Sequence, residues 1–211
     1  MDTMTPSTEP VTEGQIGKLN QNLTARLLKH KNELPSNLFQ QVLGDETLLD
    51  EMYASILKRV DAISNLIIRK VKVNRNRSPK EMLDATGRKQ YTDSGVVAKM
   101  PKGEGEETEV FFFNLGRFVN DNDLEKEYDL RGLKPADPYS QAAVNEADPA
   151  FADKYPNGTH WKDANGKWCF AAFSHWDDDE RGVDVNRNDN DWNDNWWFAG
   201  VRNSLLSPST I

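Results

Sequence analysis

Oxygen-bearing side chains recur at every second position of one stretch near the end of the 211-residue chain. They fall at the first, third, fifth and seventh positions of a calcium-binding loop: Asp184, Asn186, Asn188 and Asn190. The sixth position of such a loop requires glycine but is Asp189, and the twelfth requires a bidentate glutamate but is Asn195. The spacing therefore does not predict an EF-hand, while a weaker calcium site stays open.

A polar binding surface is the other interpretation of this stretch. Nine of the twelve residues from 184 to 195 are asparagine or aspartate, a composition that favours turns. Val183 and Val185 alternate with polar residues, so a strand here would direct the valines inward and the polar side chains outward. All six tryptophans lie between Trp161 and Trp197, where large rings can hold a polar loop in one shape. The predicted aromatic support consists of Trp168, Trp192, Trp196, Trp197 and Phe198.

The residues that usually carry catalysis show no catalytic spacing. The three histidines are too scattered to form a metal-ligand motif: His30, His160 and His175. Cys169 lies in an apolar run, which predicts a buried core residue rather than a nucleophile. The pair Gly103-x-Gly105 precedes a strand, whereas a dinucleotide-binding loop follows one. We therefore predict that the protein is not an enzyme and holds no cofactor, with calcium as the one alternative left open.

Composition limits the range of partners. A net charge of -8 and a pI near 5.0 argue against general binding to nucleic acid or to anionic membranes. A local basic patch at 69–77 stays open, although a solvated connection between domains explains it as simply. The sequence shows no signal-peptide pattern and no apolar run of about 20 residues. We expect synthesis in the cytoplasm and no membrane insertion, with the final location left open.

The first part of the chain has helical periodicity. Residues 1–12 are rich in Thr, Pro and acid, which predicts a disordered tail. Residues 13–75 are predicted to form a helical module, in which apolar residues from Ile16 to Leu28 share one helix face. A second and stronger stripe runs from Leu49 to Ile67. This stripe is expected to pack inside the molecule, although a seam between copies of the chain stays open.

The remainder, 76–211, is predicted to be a second domain of mixed structure. Thr108–Phe113 has the composition of a buried strand, and Asn122 and Glu125 have the spacing of a helix-capping box. Asn165-Gly166 predicts a tight hairpin turn. Four short strands are predicted towards the end, at 159–162, 167–173, 181–186 and 196–203. The order is a strand, then helices, then a set of short antiparallel strands.

This order of elements resembles the C-type lectin fold and, more narrowly, the variable proteins of diversity-generating retroelements. The resemblance covers about half of the chain. It rests on Trp176, Arg181–Arg187, the Asn/Asp run to Asn195, and the closing Trp197–Arg202. In that family the C-terminal region ends in an aromatic-Gly-hydrophobic-Arg strand, preceded by an excess of asparagine. The family explains the excess by mutation of template adenines during reverse transcription, because asparagine codons are rich in adenine.

Together with the helical periodicity of the first part, which the resemblance does not cover, this predicts an α+β protein in which a helical N-terminal module precedes a C-type-lectin-like domain with short antiparallel strands. The resemblance further implies a diversified face, at about 174–195, that binds a protein or surface ligand whose identity the sequence does not give. Apart from the resemblance, oligomerisation through the N-terminal helices stays open. The positions expected to contact the ligand are Ser174, His175, Asp178, Arg181, Asp184, Asn186, Asn188, Asn190, Asn193 and Asn195.

Two other functions remain alternatives. One is a calcium-dependent carbohydrate-binding domain of the same fold, with a fixed rather than a diversified site. The other is a structural assembly protein that associates through the stripe between Leu49 and Ile67. C-type-lectin-like folds also host formylglycine-generating enzymes, but the single cysteine does not supply the thiol chemistry that such enzymes need.

Overall fold

The computed structural model describes residues 9–176 and 180–203. Its contacts divide the chain into two units. A helical unit ends at Ser64, and a sheet unit begins at Asn65. Most of the predicted disordered tail, at 1–8, lies outside the described residues, as does Asp178.

The helical unit contains three α-helices and one short 3-10 helix among its described residues. They are α1 (Glu13–Lys29), the 3-10 helix Lys31–Glu33, α2 (Ser36–Leu43) and α3 (Glu46–Ser64). Thr12 begins α1 with a capping box that includes Gln15. None of these helices contains a buried residue, so the expected internal core of the module is not formed within these helices.

The predicted boundary of the helical module, at residue 75, differs from the structure. The last helix ends at Ser64, and Ile67–Lys72 forms a strand of the sheet unit. Ile67 continues the helical spacing of the stripe, but it also begins a run rich in β-branched residues that suits a strand. Pairing with a neighbouring strand favours the strand over a longer helix, and Ile67 lies opposite Phe112 in that pairing.

The sheet unit is built on one sheet with eight strands in its described part. The strands are β1 (Ile67–Lys72), β2 (Lys89–Thr92), β3 (Glu107–Asn114), β4 (Leu133–Pro135), β5 (Asn157–Lys162), β6 (Trp168–His175), β7 (Arg181–Arg187) and β8 (Trp197–Arg202). Their order is β1-β3-β8-β5-β6-β7-β2, with β4 also paired to β8. The β2–β7 and β5–β8 pairs are parallel and the other pairs are antiparallel. The predicted α+β class with short, mostly antiparallel strands is confirmed.

Five α-helices connect the described strands. They are α4 (Pro79–Ala85), α5 (Ser94–Val97), α6 (Asp121–Leu130), α7 (Pro138–Ala147) and α8 (Phe151–Lys154). Helix α6 is capped by Asn120, whose side chain accepts the backbone N–H of Asp123, and not by Asn122 as the sequence predicted. The earlier start makes Asp121 the first residue of the helix.

The core lies on both faces of the sheet. Alternate residues of a strand point to opposite faces, and β6 shows this directly. Phe173 packs with Val183, Val185 and side chains of α4 and α7, whereas Ala172 packs with Trp192, Phe198 and side chains of α6. Cys169 is buried, as predicted.

Candidate functional site

Strand β7 has the predicted alternation. Val183 and Val185 are buried, while Asp184 and Asn186 are partly exposed on the opposite face of the sheet. The antiparallel register places Asp184 beside Ala172 of β6. Burial raises the pKa of the Asp184 carboxyl. Because Asp184 and Asn186 lie on a strand, they do not form the turn that a calcium-binding loop requires.

Trp192 fixes the Asn/Asp-rich loop between β7 and β8. Only 5% of its surface is exposed, although the residues on either side of it are polar. Its ring meets three other rings edge-on, at centroid distances of 5.5–5.6 Å: Phe170, Trp196 and Phe198. Its backbone N–H and C=O pair with those of Val119 at 2.8 and 3.1 Å. The buried ring of Trp192 therefore anchors the loop to the core.

A glycine on β5 provides the space for that ring. A Cβ atom at Gly158 would lie 2.5 Å from Cζ3 of Trp192, closer than carbon atoms approach in proteins. Strand β5 thus lets the indole lie directly against its backbone. The composition of the loop gives no sign of this contact, because the two residues are far apart in sequence.

Asp121 connects the loop to helix α6. Its Oδ1 accepts the indole N–H of Trp192 at 2.9 Å and lies 2.7 Å from Nδ1 of His160. Its Oδ2 accepts the side-chain amide of Asn188 at 2.8 Å. Asp121 is buried at the N-terminus of a helix, where the helix dipole favours a negative charge. Asn188, predicted to contact ligand, therefore also has a structural role.

His160 is held between two carboxylates. Its Nε2 lies 2.8 Å from Oε1 of Glu125, a close charge contact rather than a well-aligned hydrogen bond, and its ring stacks on Trp168 at 4.6 Å. Burial acts to lower the pKa of His160, but the hydrogen bond to Asp121 and charge attraction from Asp121 and Glu125 outweigh it and raise that pKa. The structural role that the sequence favoured for His160 fits this geometry.

Two exposed aromatic side chains, Tyr91 and Trp176, lie against Gly182 of β7. Tyr91 is 40% exposed and is aligned with Asp184 in the parallel β2–β7 register. Trp176 is 50% exposed and covers Gly182, where a Cβ atom would lie 2.6 Å from the indole Nε1. Asn186 donates its side-chain N–H to the backbone oxygen of Tyr91 at 2.9 Å. We call this surface the β2–β7 face: Tyr91, Trp176, Gly182, Asp184 and Asn186.

An ion pair fixes the edge of the β2–β7 face. The hydroxyl of Tyr91 donates a hydrogen bond to Oε1 of Glu180. Nζ of Lys89 lies 2.7 Å from Oε2 of the same carboxylate, and 5.2 Å from the centre of the Tyr91 ring. No local pattern singles out Tyr91, Lys89 or Glu180, because β2 is a short strand of four residues without a clear apolar alternation.

The other predicted contact positions divide into exposed and buried ones. The exposed ones are His175, Asn190, Asn193 and Asn195. Arg181 is exposed as well but pairs with Asp153, with Nη2 and Oδ2 2.6 Å apart. Ser174 is buried, and its backbone oxygen accepts a hydrogen bond from Arg88 at 3.0 Å. The structure therefore places Ser174 in the scaffold, since the end of β6 turns its side chain away from solvent.

The predicted aromatic support is present, with differences in burial. Phe198 and Trp192 are buried, while the other three aromatic side chains are partly exposed: Trp168, Trp196 and Trp197. Trp197 packs edge-on against Tyr155 with ring centres 5.0 Å apart. All five side chains thus make ring contacts, but truncation of Trp197 should cost less stability than truncation of Phe198.

A cavity of about 1000 Å³ in the sheet unit is lined in part by His160, Glu125 and Trp168. Its lining carries charges of both signs, including Arg75, Lys134 and Glu125. None of the predicted contact residues lines it. Within residues 9–176 and 180–203, no group of three His, Cys, Asp or Glu side chains is placed to hold a metal ion.

No helix in the described part of the chain combines the length and apolar character needed to cross a membrane. Comparisons with protein-family models, with curated proteins and with solved structures found no match to this chain. The architecture is a mixed α+β one with a single, mostly antiparallel sheet of eight strands in the described part.

Proposed function

We propose that the protein is a non-enzymatic ligand-binding protein. Its sheet unit would be a C-type-lectin-like domain with a diversified surface, like that of the retroelement variable proteins that the sequence resembles. One observation carries the proposal: exposed asparagines lie on a loop whose central tryptophan is buried. The asparagines are Asn190, Asn193 and Asn195.

In this arrangement, the residues that stabilise the loop differ from the residues that would contact the ligand. Trp192 and its hydrogen bond to Asp121 hold the loop, and neither group is exposed. The exposed asparagines contribute little to the core, so other residues could replace them without loss of the fold. A surface that is to vary in sequence needs such a division, as antibody loops illustrate.

The β2–β7 face extends this surface with fixed aromatic groups. Tyr91 and Trp176 offer flat apolar rings, and both residue types are common among the groups that dominate binding energy. Asp184 and Asn186 lie between β6 and β2 on the same face of the sheet, so they supply polar groups beside those rings. We infer that a ligand would contact both the loop and this face.

Substitution of the exposed asparagines tests the proposal. We expect Asn190→Ser, Asn193→Tyr and Asn195→His each to change the free energy of unfolding by less than about 0.5 kcal/mol, because these side chains face solvent. Urea unfolding of the purified variants measures the change.

Asn157 provides a matched control of the same residue type. It is fully buried, and its side chain bonds Gln141, Asn145 and the backbone oxygen of Tyr155. Asn157→Ala should therefore cost about 1–3 kcal/mol, because it leaves buried polar groups unpaired. Equal losses at Asn157 and at the exposed positions would contradict the proposed separation.

A further inference from the structure

The β2–β7 face and the loop that follows β7 carry acids without counter-ions. Asp184 lies on the face, and three further acids are exposed on the loop: Asp189, Asp191 and Asp194. Within the described part of the chain, none of these four carboxylates belongs to an ion pair. The surface proposed to bind the ligand is therefore negatively charged.

The cations of β2 and β7 do not offset this charge. Alternation along β7 turns Arg181 and Arg187 to the side of Val183 and Val185, away from Asp184. Burial alone raises the pKa of Asp184, because no neighbouring charge acts on it. Each cation of the two strands already lies 2.6–2.7 Å from another acid: Lys89 from Glu180, Arg181 from Asp153, and Arg187 from Asp163.

A buried hydroxyl group on the same face also lacks a partner. Ser174 is 8% exposed, and its Oγ forms no hydrogen bond within the described residues. Ser174 lies opposite Gly182 in the antiparallel β6–β7 register, so its side chain and that of Asp184 project from the same face of the sheet. A buried hydroxyl group without a hydrogen bond costs free energy, and a ligand that donates an N–H to it would remove this cost.

Trp176 supplies an aromatic ring beside this hydroxyl group. Its indole is half exposed and lies against Gly182, the residue opposite Ser174. Aromatic faces attract ammonium and guanidinium groups, and the ring of Tyr91 already has Nζ of Lys89 5.2 Å from its centre. An exposed side chain beyond the end of a strand can change its rotamer, which would give a ligand access to the buried hydroxyl group.

We propose that this surface binds a basic segment of a protein ligand, and that Asp184, Trp176 and Ser174 together hold one of its arginine or lysine side chains. The carboxylate and the hydroxyl group would accept N–H groups of that cation, while the indole would pack against it. The exposed acids of the loop would attract the neighbouring basic residues of the segment. The inference rests on the proposed ligand-binding function and adds the chemistry of the ligand for this chain.

Binding of a fluorescein-labelled peptide of eight arginines to the full chain, followed by fluorescence anisotropy, tests this proposal. Asp184→Asn should weaken binding about tenfold, because a hydrogen bond to a charged group is lost. D189N/D191N/D194N should weaken it about threefold or more at low salt. The effect of this triple variant should shrink at high salt, where exposed charges are screened. A labelled peptide of eight glutamines should not bind.

The helical unit offers matched controls. E46Q/D50N/E51Q removes the same three negative charges from exposed positions of α3 and should leave the affinity for the arginine peptide unchanged. Trp176→Ala should weaken binding, whereas Tyr53→Ala, which truncates an exposed ring on α3, should not. Ser174→Ala should also weaken binding, while its circular dichroism spectrum should match that of the unchanged protein.

Three results would overturn the proposal. The first is failure of the unchanged protein to bind the arginine peptide. The second is an equal loss of affinity in the loop variant and in E46Q/D50N/E51Q, because net charge alone would then explain binding. The third is a melting temperature that calcium chloride raises in the unchanged protein but not in Asp184→Asn, because a metal ion would then occupy this carboxylate.

The stability test of the exposed asparagines separates this inference from the proposed function. That test involves no cationic probe. If the exposed asparagines tolerate substitution as expected but the arginine peptide does not bind, the proposed function stands and the proposed chemistry of the ligand is wrong. If Asn157 and the exposed asparagines are equally sensitive, the proposed function itself is contradicted.

Discussion

Trp192→Ala is expected to lower the free energy of unfolding of the sheet unit by about 3–5 kcal/mol. The indole is buried among Phe170, Trp196 and Phe198, so its removal leaves a large cavity. Its N–H also binds Asp121, and that carboxylate would lose one of its donors. Urea unfolding followed by far-ultraviolet circular dichroism measures the loss without relying on tryptophan emission.

Trp176→Ala is the matched control for this prediction. It removes the same side chain from a position that is half exposed, where the indole lies against Gly182. We expect a loss below about 1 kcal/mol. If both substitutions reduced stability equally, Trp192 would not be the residue that holds the loop.

Asp121→Ala is expected to cost about 3–5 kcal/mol, because it removes one partner from a buried charged network. Three donors lose their acceptor at once: Nδ1 of His160, Nε1 of Trp192 and the amide of Asn188. The same unfolding experiment measures this loss. The control is Asp123→Ala, two residues further along α6, which breaks an exposed ion pair with Lys126 and should cost far less than Asp121→Ala.

The pH dependence of stability tests whether the negative charge of Asp121, and not only the size of its side chain, stabilises the fold. The pKa of His160 is raised in the folded protein, so its protonation stabilises the fold. This contribution is complete below the unfolded pKa of about 6.5 and is lost as the pH rises through the folded pKa. Stability should therefore fall as the pH rises from about 6.

Asp121→Asn should flatten that slope, because the amide keeps the size of the carboxylate but not its charge. Asp123→Asn should leave the slope unchanged between pH 6 and 9, since the hydrogen bonds from Lys126 and Asn120 lower the pKa of Asp123 below its already acidic value. An undiminished slope in Asp121→Asn would show that His160 does not draw its protonation from this carboxylate, whereas a reduced slope fits the remaining contribution of Glu125.

The local features of the site follow from short-range patterns. Val183 and Val185 alternate with polar residues, and the strand and its buried side follow from that period. Asn165-Gly166 predicts the hairpin between β5 and β6, and Gly166 has the positive φ of 75° that such a turn favours. These features depend on neighbours in sequence, so one sequence is enough to infer them.

The contacts that assemble the site depend on residues far apart in the chain. Tyr91 reaches Asp184 only because the short strand β2 pairs in parallel with β7 at the end of the sheet. Asp121 meets Trp192 because α6 and the loop lie on the same face of β6. Neither pairing leaves a local pattern, since the two partners of each pair are far apart in the sequence. The stripe of α3 likewise predicts a helix without saying what covers it.

Variation in the gene is the most direct test of a diversified binding surface. The measurement is to sequence the 3′ end of the gene and its flanks from several isolates. The proposal predicts an adjacent near-copy of roughly the last 120 bases that differs from the gene only at adenines. The substituted codons should include those of Asn190, Asn193 and Asn195, which are exposed, and spare that of Trp192, which is buried. The absence of a copy, together with variation that is not restricted to adenines, would contradict the proposal.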